Sequence, residues 1–279
     1  MNKKIVFITG TSSGFGSLTT LQLAKEGYYV IATMRNISKK SSLLKKANEL
    51  NVENNIEVMQ LDVTNQDQIN KSVEKVIDRF GKIDILINNA GYCLGGISEC
   101  IPVSDWRDQF ETNFFSIVAL TNTILPIMRE RRDGKIINIG SISGRLGLPG
   151  LGPYASSKFA LEGYCESLRF EVMPFQISVS LVEAGSYKTN IWEKGLQNIN
   201  RVNSIKEYND YINSLYNNAK KTAQQAADPM EVIQTIIKIC RSEKPKFRYP
   251  VGKGVKATLL LKSILPFSFI EWIIKKRIK

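Results

Sequence analysis

The chain has 279 residues, 43% apolar and 23% charged, which is the composition of a globular protein with a sizeable core and excludes a disordered or fibrous class. Its four cysteines (Cys93, Cys100, Cys165, Cys240) form no CxxC pair and no histidine is present, so no metal site is expected and free thiols in a reducing, cytoplasmic compartment are. Of the formal net charge of +12, +9 lies in residues 244–279, which points to an anionic surface met by the tail and not to nucleic acid bound across the fold.

In chain order, Met1–Thr9 carries too short an apolar run for a signal peptide. Lys4–Thr9, Tyr28–Thr33, Ile56–Gln60, Ile83–Ile87, Lys135–Ile139 and Ile177–Val182 read as buried strands. Helix-length segments at 14–26, 38–50, 65–79, 104–131 and 154–172 lie between them. Strict alternation predicts a single doubly wound parallel α/β sheet with helices on both faces, with ligands bound beyond the carboxyl ends of the strands.

Residues 186–227 break the pattern, with eight asparagines, several tyrosines and Trp192. They read as a lid over a site, or as a solvated surface insertion. A helix starting at Asp228-Pro229, with the proline at N1, and a short strand Phe247-Arg248-Tyr249 follow. The division expected is one domain over 1–250 and a basic amphipathic tail over 251–279. Within that tail, Leu259–Ile274 is apolar but is interrupted by Lys262, Pro266 and Glu271, and it is too short to span a bilayer. With Lys275-Lys276-Arg277 it can lie on the inner face of an anionic membrane, cover a substrate site or form a subunit contact.

The first strand runs into Thr9-Gly10-Thr11-Ser12-Ser13-Gly14-Phe15-Gly16 and then a helix. Glycines there let the backbone turn tightly and approach a pyrophosphate resting on the helix N-terminus, which predicts a dinucleotide site. The spacing is G-x3-G-x-G and not the common G-x-G-x-x-G. The acid expected at the end of the second strand is missing: Ala32-Thr33-Met34 is followed by Arg35. A guanidinium suits a 2′-phosphate that a carboxylate would repel, so NADP(H) is predicted over NAD(H).

Three further stretches follow in order: Asn88-Asn89-Ala90-Gly91, Gly140-Ser141-Ile142-Ser143-Gly144, and Tyr154 with Lys158 in GPYASSKF. Together with T-G-x3-G-x-G they resemble the short-chain dehydrogenase/reductase family over roughly residues 4–190. The resemblance implies a Rossmann-like fold and carbonyl–alcohol interconversion by hydride transfer. It implies Tyr154 as general acid/base, Lys158 as the group that tunes it and holds the nicotinamide ribose, Ser141 as hydrogen-bond partner of the substrate oxygen, and Asn113 as support for a water-linked relay. Since residues four apart share a helix face, Lys158 is expected to lower the Tyr154 pKa.

Cofactor contacts implied likewise are Gly10, Ser12, Ser13, Gly14, Phe15, Gly16, Asp62 on the adenine side, Asn89, Ala90, Gly91, Gly185, Tyr187 at the carboxamide, and Thr189. One motif departs: Glu183-Ala184-Gly185 stands where the family usually has Pro-Gly, and a looser turn is expected. Leu146, Leu148, Leu151, Trp192, Tyr208, Tyr211 and Tyr216 suit an apolar substrate, or equally a local core. Arg248-Tyr249-Pro250-Val251-Gly252 and Leu265-Pro266 resemble the branch that includes 17β-hydroxysteroid and retinol dehydrogenases, which implies a lipophilic alcohol or carbonyl. A homo-oligomer, dimer or tetramer, is implied as well. The alternative is a catalytically idle NADP(H)-binding regulatory protein, against which the intact Asn/Ser/Tyr/Lys set argues.

Overall fold

The computed structural model describes residues 3–189 and 205–278. Each β-branched run forms a strand because its side chains pack on both sides of a buried sheet. The strands are β1 (Ile5–Ile8), β2 (Tyr29–Met34), β3 (Ile56–Gln60), β4 (Ile85–Asn88), β5 (Gly134–Ile139), β6 (Ile177–Ala184) and β7 (Arg248–Val251). All pair in parallel, in the order β3-β2-β1-β4-β5-β6-β7.

Alternate strand residues face opposite layers. Val6, Ile8, Val30 and Ala32 pack with α1 (Gly14–Lys25) and a helix described below, Met230–Arg241. Ile5, Phe7 and Ile31 pack with α3 (Gln66–Phe80) and, further along, α5 (Ser116–Arg131) and α6 (Gly152–Val172). Between these lie α2 (Lys40–Glu49) and α4 (Val103–Phe110). The chain runs β1 to β3 in one direction and then crosses to β4 on the other side of β1. That reversal opens a crevice at the carboxyl ends of β1 and β4.

Three local expectations are corrected. The helix predicted over 104–131 is divided: α4 ends at Phe110, Glu111–Phe115 form a π-turn, and α5 continues from Ser116. The residue capping the helix Met230–Arg241 is Pro229 and not Asp228; Asp228 lies one position earlier and its carboxylate accepts the Met230 N–H at 2.8 Å. The apolar tail is two helices separated at Leu265-Pro266, as a proline that cannot continue a helix requires.

Of the 186–227 segment, residues 190–204, and with them Trp192, lie outside the described residues. From Lys206 the chain turns into α7 (Asn209–Gln224). Ile212, Tyr208, Tyr211, Leu215 and Tyr216 pack over Ile97 and Cys100, and the Tyr208 hydroxyl donates to Glu99 at 2.9 Å. Then follow α8 (Met230–Arg241), β7, α9 (Val255–Ile264) and α10 (Phe267–Ile278). Among the described residues no helix is long and apolar enough to cross a membrane.

Candidate active site

The glycine loop joins β1 to α1. Gly10 and Gly14 have φ of +69° and +57°, the left-handed region that favours glycine. A Cβ on Gly16 would lie 2.3 Å from the Gly10 carbonyl oxygen, so the helix approaches the loop more closely than any side chain permits. Ser13 is the N-cap of α1, yet its side chain makes no cap bond. The first N–H groups of α1 therefore face outward over a glycine floor, and this fits a pyrophosphate.

Asn89 and Ala90 wall the other side. Asn89 Nδ2 donates to the carbonyls of Thr9 (2.8 Å) and Gly10 (3.1 Å). The Thr9 hydroxyl accepts from both the Asn89 and Ala90 N–H groups at 3.0 Å. Thr9 thus joins the ends of β1 and β4, a role missed in the sequence because a buried threonine at a strand end carries no motif of its own.

On the far side of the crevice, α6 begins at Gly152 and puts Tyr154 in its first turn and Lys158 one turn later. Ser141 follows β5 and caps a short 3-10 turn, its Oγ accepting the Ser143 N–H at 3.1 Å, and its side chain pulls the Tyr154 pKa down. Asn113 sits in the π-turn, fully buried. Its Oδ1 accepts the Tyr92 N–H at 3.0 Å, and its Nδ2 donates to the Tyr92 carbonyl (2.9 Å) and to Ser157 Oγ (3.3 Å). It therefore ties the loop after β4 to α6, beside Gly91.

The expected lowering of the Tyr154 pKa is not found. Burial raises it, the nearby Cys93 thiol adds to this, and the bond from Ser141 acts in the opposite direction. Lys158 makes its bond elsewhere: its Nζ, 5.9 Å from the Tyr154 ring centroid, donates to the Ile139 carbonyl at 2.8 Å. Burial in turn pulls Lys158 down to about 8, because a buried ammonium lacks the hydration that stabilises its charge. Cys93 faces both groups, and burial pushes its thiol up to about 12, so it is an inert neighbour and not a nucleophile. Its sequence position after Asn89-Ala90-Gly91 was the available signal.

The remaining predicted contacts surround this crevice. Arg35 directly follows β2 and is exposed. Asp62 Oδ1 accepts from the Thr64 N–H (3.1 Å) and hydroxyl (2.8 Å), which shapes the turn after β3. Ala184 closes β6 in register with Val251, and the Gly185 N–H donates to the Val251 carbonyl at 2.9 Å. Strand pairing thus holds a turn that was expected to loosen without proline. A Cβ on Gly185 would lie 2.8 Å from Val255 of α9, so the tail packs directly on this turn. Thr189 lies against Gly14.

Tyr187 is corrected as to its side chain. The phenol is buried, packs edge-on to Phe15 with 5.7 Å between centroids, and donates to Glu231 at 2.7 Å. Its direction was hidden because Glu231 belongs to a helix 44 residues on.

Comparison with known proteins agrees with this geometry. The family model described as short chain dehydrogenase matches residues 4–200. An uncharacterized oxidoreductase of Bacillus subtilis, YusZ, is 44% identical, covering 100% of this chain and 99% of the relative. A 3-ketodihydrosphingosine reductase of Bacteroides thetaiotaomicron is 36% identical (99% and 98% covered), and human retinol dehydrogenase 8 is 35% identical (94% and 85%). Among solved structures, a short-chain dehydrogenase from Streptomyces avermitilis superposes with a TM-score of 0.81 at 29% identity, covering 99% and 98% of the two chains. ElxO with NADP bound superposes with a TM-score of 0.75 at 27% identity, covering 91% and 99%. With the glycine cradle, the Ser141 turn and the Tyr154–Lys158 helix meeting at one crevice, the chain belongs to the short-chain dehydrogenase/reductase family of oxidoreductases, in the branch of the retinol and 17β-hydroxysteroid dehydrogenases.

Proposed function

We propose that the protein interconverts a carbonyl and an alcohol with NADP(H), using Tyr154 as general acid/base. The observation that carries this reading is the convergence of Ser141, at the turn after β5, and Tyr154, at the start of α6, opposite the glycine cradle. The Ser141 and Tyr154 hydroxyls would hold the substrate oxygen, and Tyr154 would pass it a proton during reduction. A phenol held above its ordinary value by burial stays protonated until an oxyanion forms beside it, which suits the acid role. The nicotinamide, when bound, supplies or accepts the hydride. Lys158 would leave the Ile139 carbonyl for the ribose and the phenol oxygen, and Asn113 would keep the loop after β4 fixed as it does so.

The preference for NADP(H) rests on Arg35, an exposed guanidinium where an acid would grip a ribose hydroxyl, and on ElxO, described with NADP bound. A lipophilic, steroid- or retinoid-like substrate is supported by Leu148, Leu151 and the α7 tyrosines, and by relatives named for retinol, ketodihydrosphingosine and hydroxysteroid. Peripheral contact with an anionic membrane is supported by the tail: Leu260, Leu261, Ile264, Phe267, Phe269 and Trp272 are exposed between Lys253 and Lys256 at one end and Lys275 and Lys276 at the other.

The test is an NADPH-coupled screen over steroids, retinoids, long-chain ketones, aldehydes, diketones and sugars, repeated with Tyr154→Phe. Turnover reduced about 10²–10⁴-fold in that variant supports the reading. NADPH binding without turnover of any carbonyl would favour the idle, regulatory alternative.

A further inference from the structure

Tyr154, Lys158 and Glu162 follow one another along one face of α6. Glu162 is buried; its Oε2 accepts from Arg248 Nε at 3.1 Å, while its Oε1 is buried without a hydrogen-bond partner. Glu183, buried near the end of β6, approaches the same Arg248 Nε at 3.6 Å and pairs with Arg145 Nη1 at 3.2 Å. Arg248 also holds the exposed Glu166 at 2.6 Å. Three carboxylates thus share two guanidiniums, and the two buried ones compete for a single nitrogen. Like charges so placed are relieved when Glu162, whose Oε1 has no partner, takes up a proton.

The members of this cluster come from every segment around the reacting groups. Glu162 belongs to the Tyr154 helix, Glu183 leads into the Gly185 turn, and Arg145 follows the Ser141 turn. That turn rides on the same helix face: a Cβ on Gly144 would lie 2.9 Å from the Lys158 carbonyl oxygen and 3.1 Å from Glu162 Cγ.

We propose that Glu162 is a positioning residue for the reaction: with Glu183, Arg145 and Arg248 it sets the spacing between the Ser141 turn and the Tyr154–Lys158 helix, and does so best while Glu162 itself carries a proton. The inference rests on the carbonyl–alcohol reading above. Glu162 touches neither substrate nor cofactor; it acts through Gly144 and through α6. The groups around it are Lys158, Cys165 and Glu166 on its own helix, Glu183 on β6, Arg248 on β7 and Arg145 after β5, with Lys262 of α9 donating to the Arg145 carbonyl. Burial, and then Glu183, push Glu162 up to about 7 against the pull of Arg248 and Arg145. Above that pH the charge gained by Glu162 is unfavourable in its buried place, and the turn and the helix lose their spacing.

The experiment measures kcat and the NADPH KM across the pH range around neutrality for the full chain, Glu162→Ala and Glu162→Gln, on a carbonyl from the screen. In the wild type kcat falls as pH rises through about 7. Glu162→Ala loses about tenfold or more in kcat with the NADPH KM unchanged, as small misplacement of reacting groups does. Glu162→Gln, which keeps the shape without the charge, recovers most of kcat and flattens the decline. A decline that persists in Glu162→Gln, or full kcat in Glu162→Ala, overturns the proposal while leaving the reaction intact; no turnover of any carbonyl by the wild type would instead remove the reaction. Carbon NMR of carboxyl-labelled glutamates adds a readout independent of turnover: one wild-type resonance titrates near 7 and vanishes in Glu162→Gln. Titration of all resonances in the ordinary carboxylate range overturns the protonated Glu162 on which the proposal stands.

Discussion

Lys158 reaches past Tyr154 to the Ile139 carbonyl, 2.8 Å from its Nζ, and leaves the phenol to Ser141. The buried ammonium costs stability: its folded-state pKa of about 8 lies below the ordinary 10.5, so between those values the unfolded chain binds more protons and stability rises with pH. Below pH 8 the full penalty applies. Lys158→Met should therefore stabilise the protein without cofactor at pH 7, by up to about 3 kcal/mol, while crippling turnover and weakening NADPH binding. Thermal melts at neutral and alkaline pH check this, with the gain shrinking toward pH 10. A variant less stable than wild type at pH 7 refutes the burial argument.

Arg35 stands exposed at the end of β2. Arg35→Asp should lower the NADP-to-NAD ratio of kcat/KM by at least about tenfold, the loss of one charge-assisted contact plus a new repulsion. Parallel kinetics with both cofactors decide it; an unchanged ratio rules out the assigned role.

Thr9 accepts two N–H groups with one hydroxyl. Thr9→Val leaves both part-buried donors unpaired, at a cost of about 1–2 kcal/mol, and should raise the KM for NADPH as the Asn89-Ala90 wall drifts. Thr9→Ser retains the acceptor and should restore both. Denaturation curves and cofactor titrations of the pair supply the comparison.

The exposed apolar face of α9 and α10 should bring the protein to vesicles containing phosphatidylglycerol. Phe269 and Trp272 stack at 5.6 Å between ring centroids, and Lys276 lies 4.1 Å over the Trp272 ring, an arrangement of aromatic and cationic groups suited to an interface. Leu261→Glu with Trp272→Glu should abolish flotation, and high salt should weaken it in the wild type. Flotation unaffected by the double variant removes the membrane from consideration, leaving a second copy of the chain as the occupant to test by sedimentation.

Much of the sheet was legible because strands buried on both faces must be near-continuous runs of β-branched residues, and six of the seven strands announce themselves that way. Gly10, Gly14 and Gly16 were legible for a related reason, since the close approach they permit leaves a pattern in the chain. What stayed hidden depends on partners distant in sequence. Glu162 and Glu183 read as unremarkable acids until Arg248 and Arg145 are brought to them. Lys158 was expected to tune Tyr154 because helix spacing puts them on one face, but spacing does not say where an ammonium points.

The π-turn at Glu111–Phe115 makes chain length itself part of the site. A π-turn takes up one residue more than the α-helix it interrupts, so removing one residue would regularise the helix: the residues beyond it would keep their facing, while the widened turn that presents Asn113 would be lost. Asn113 would then swing away from Tyr92 and Ser157, while the helix would remain continuous and no less apolar. Single-residue deletions here should be far more damaging than most point substitutions in the same stretch, because the spacing along the chain, and not only the side chains on it, holds Asn113 in place.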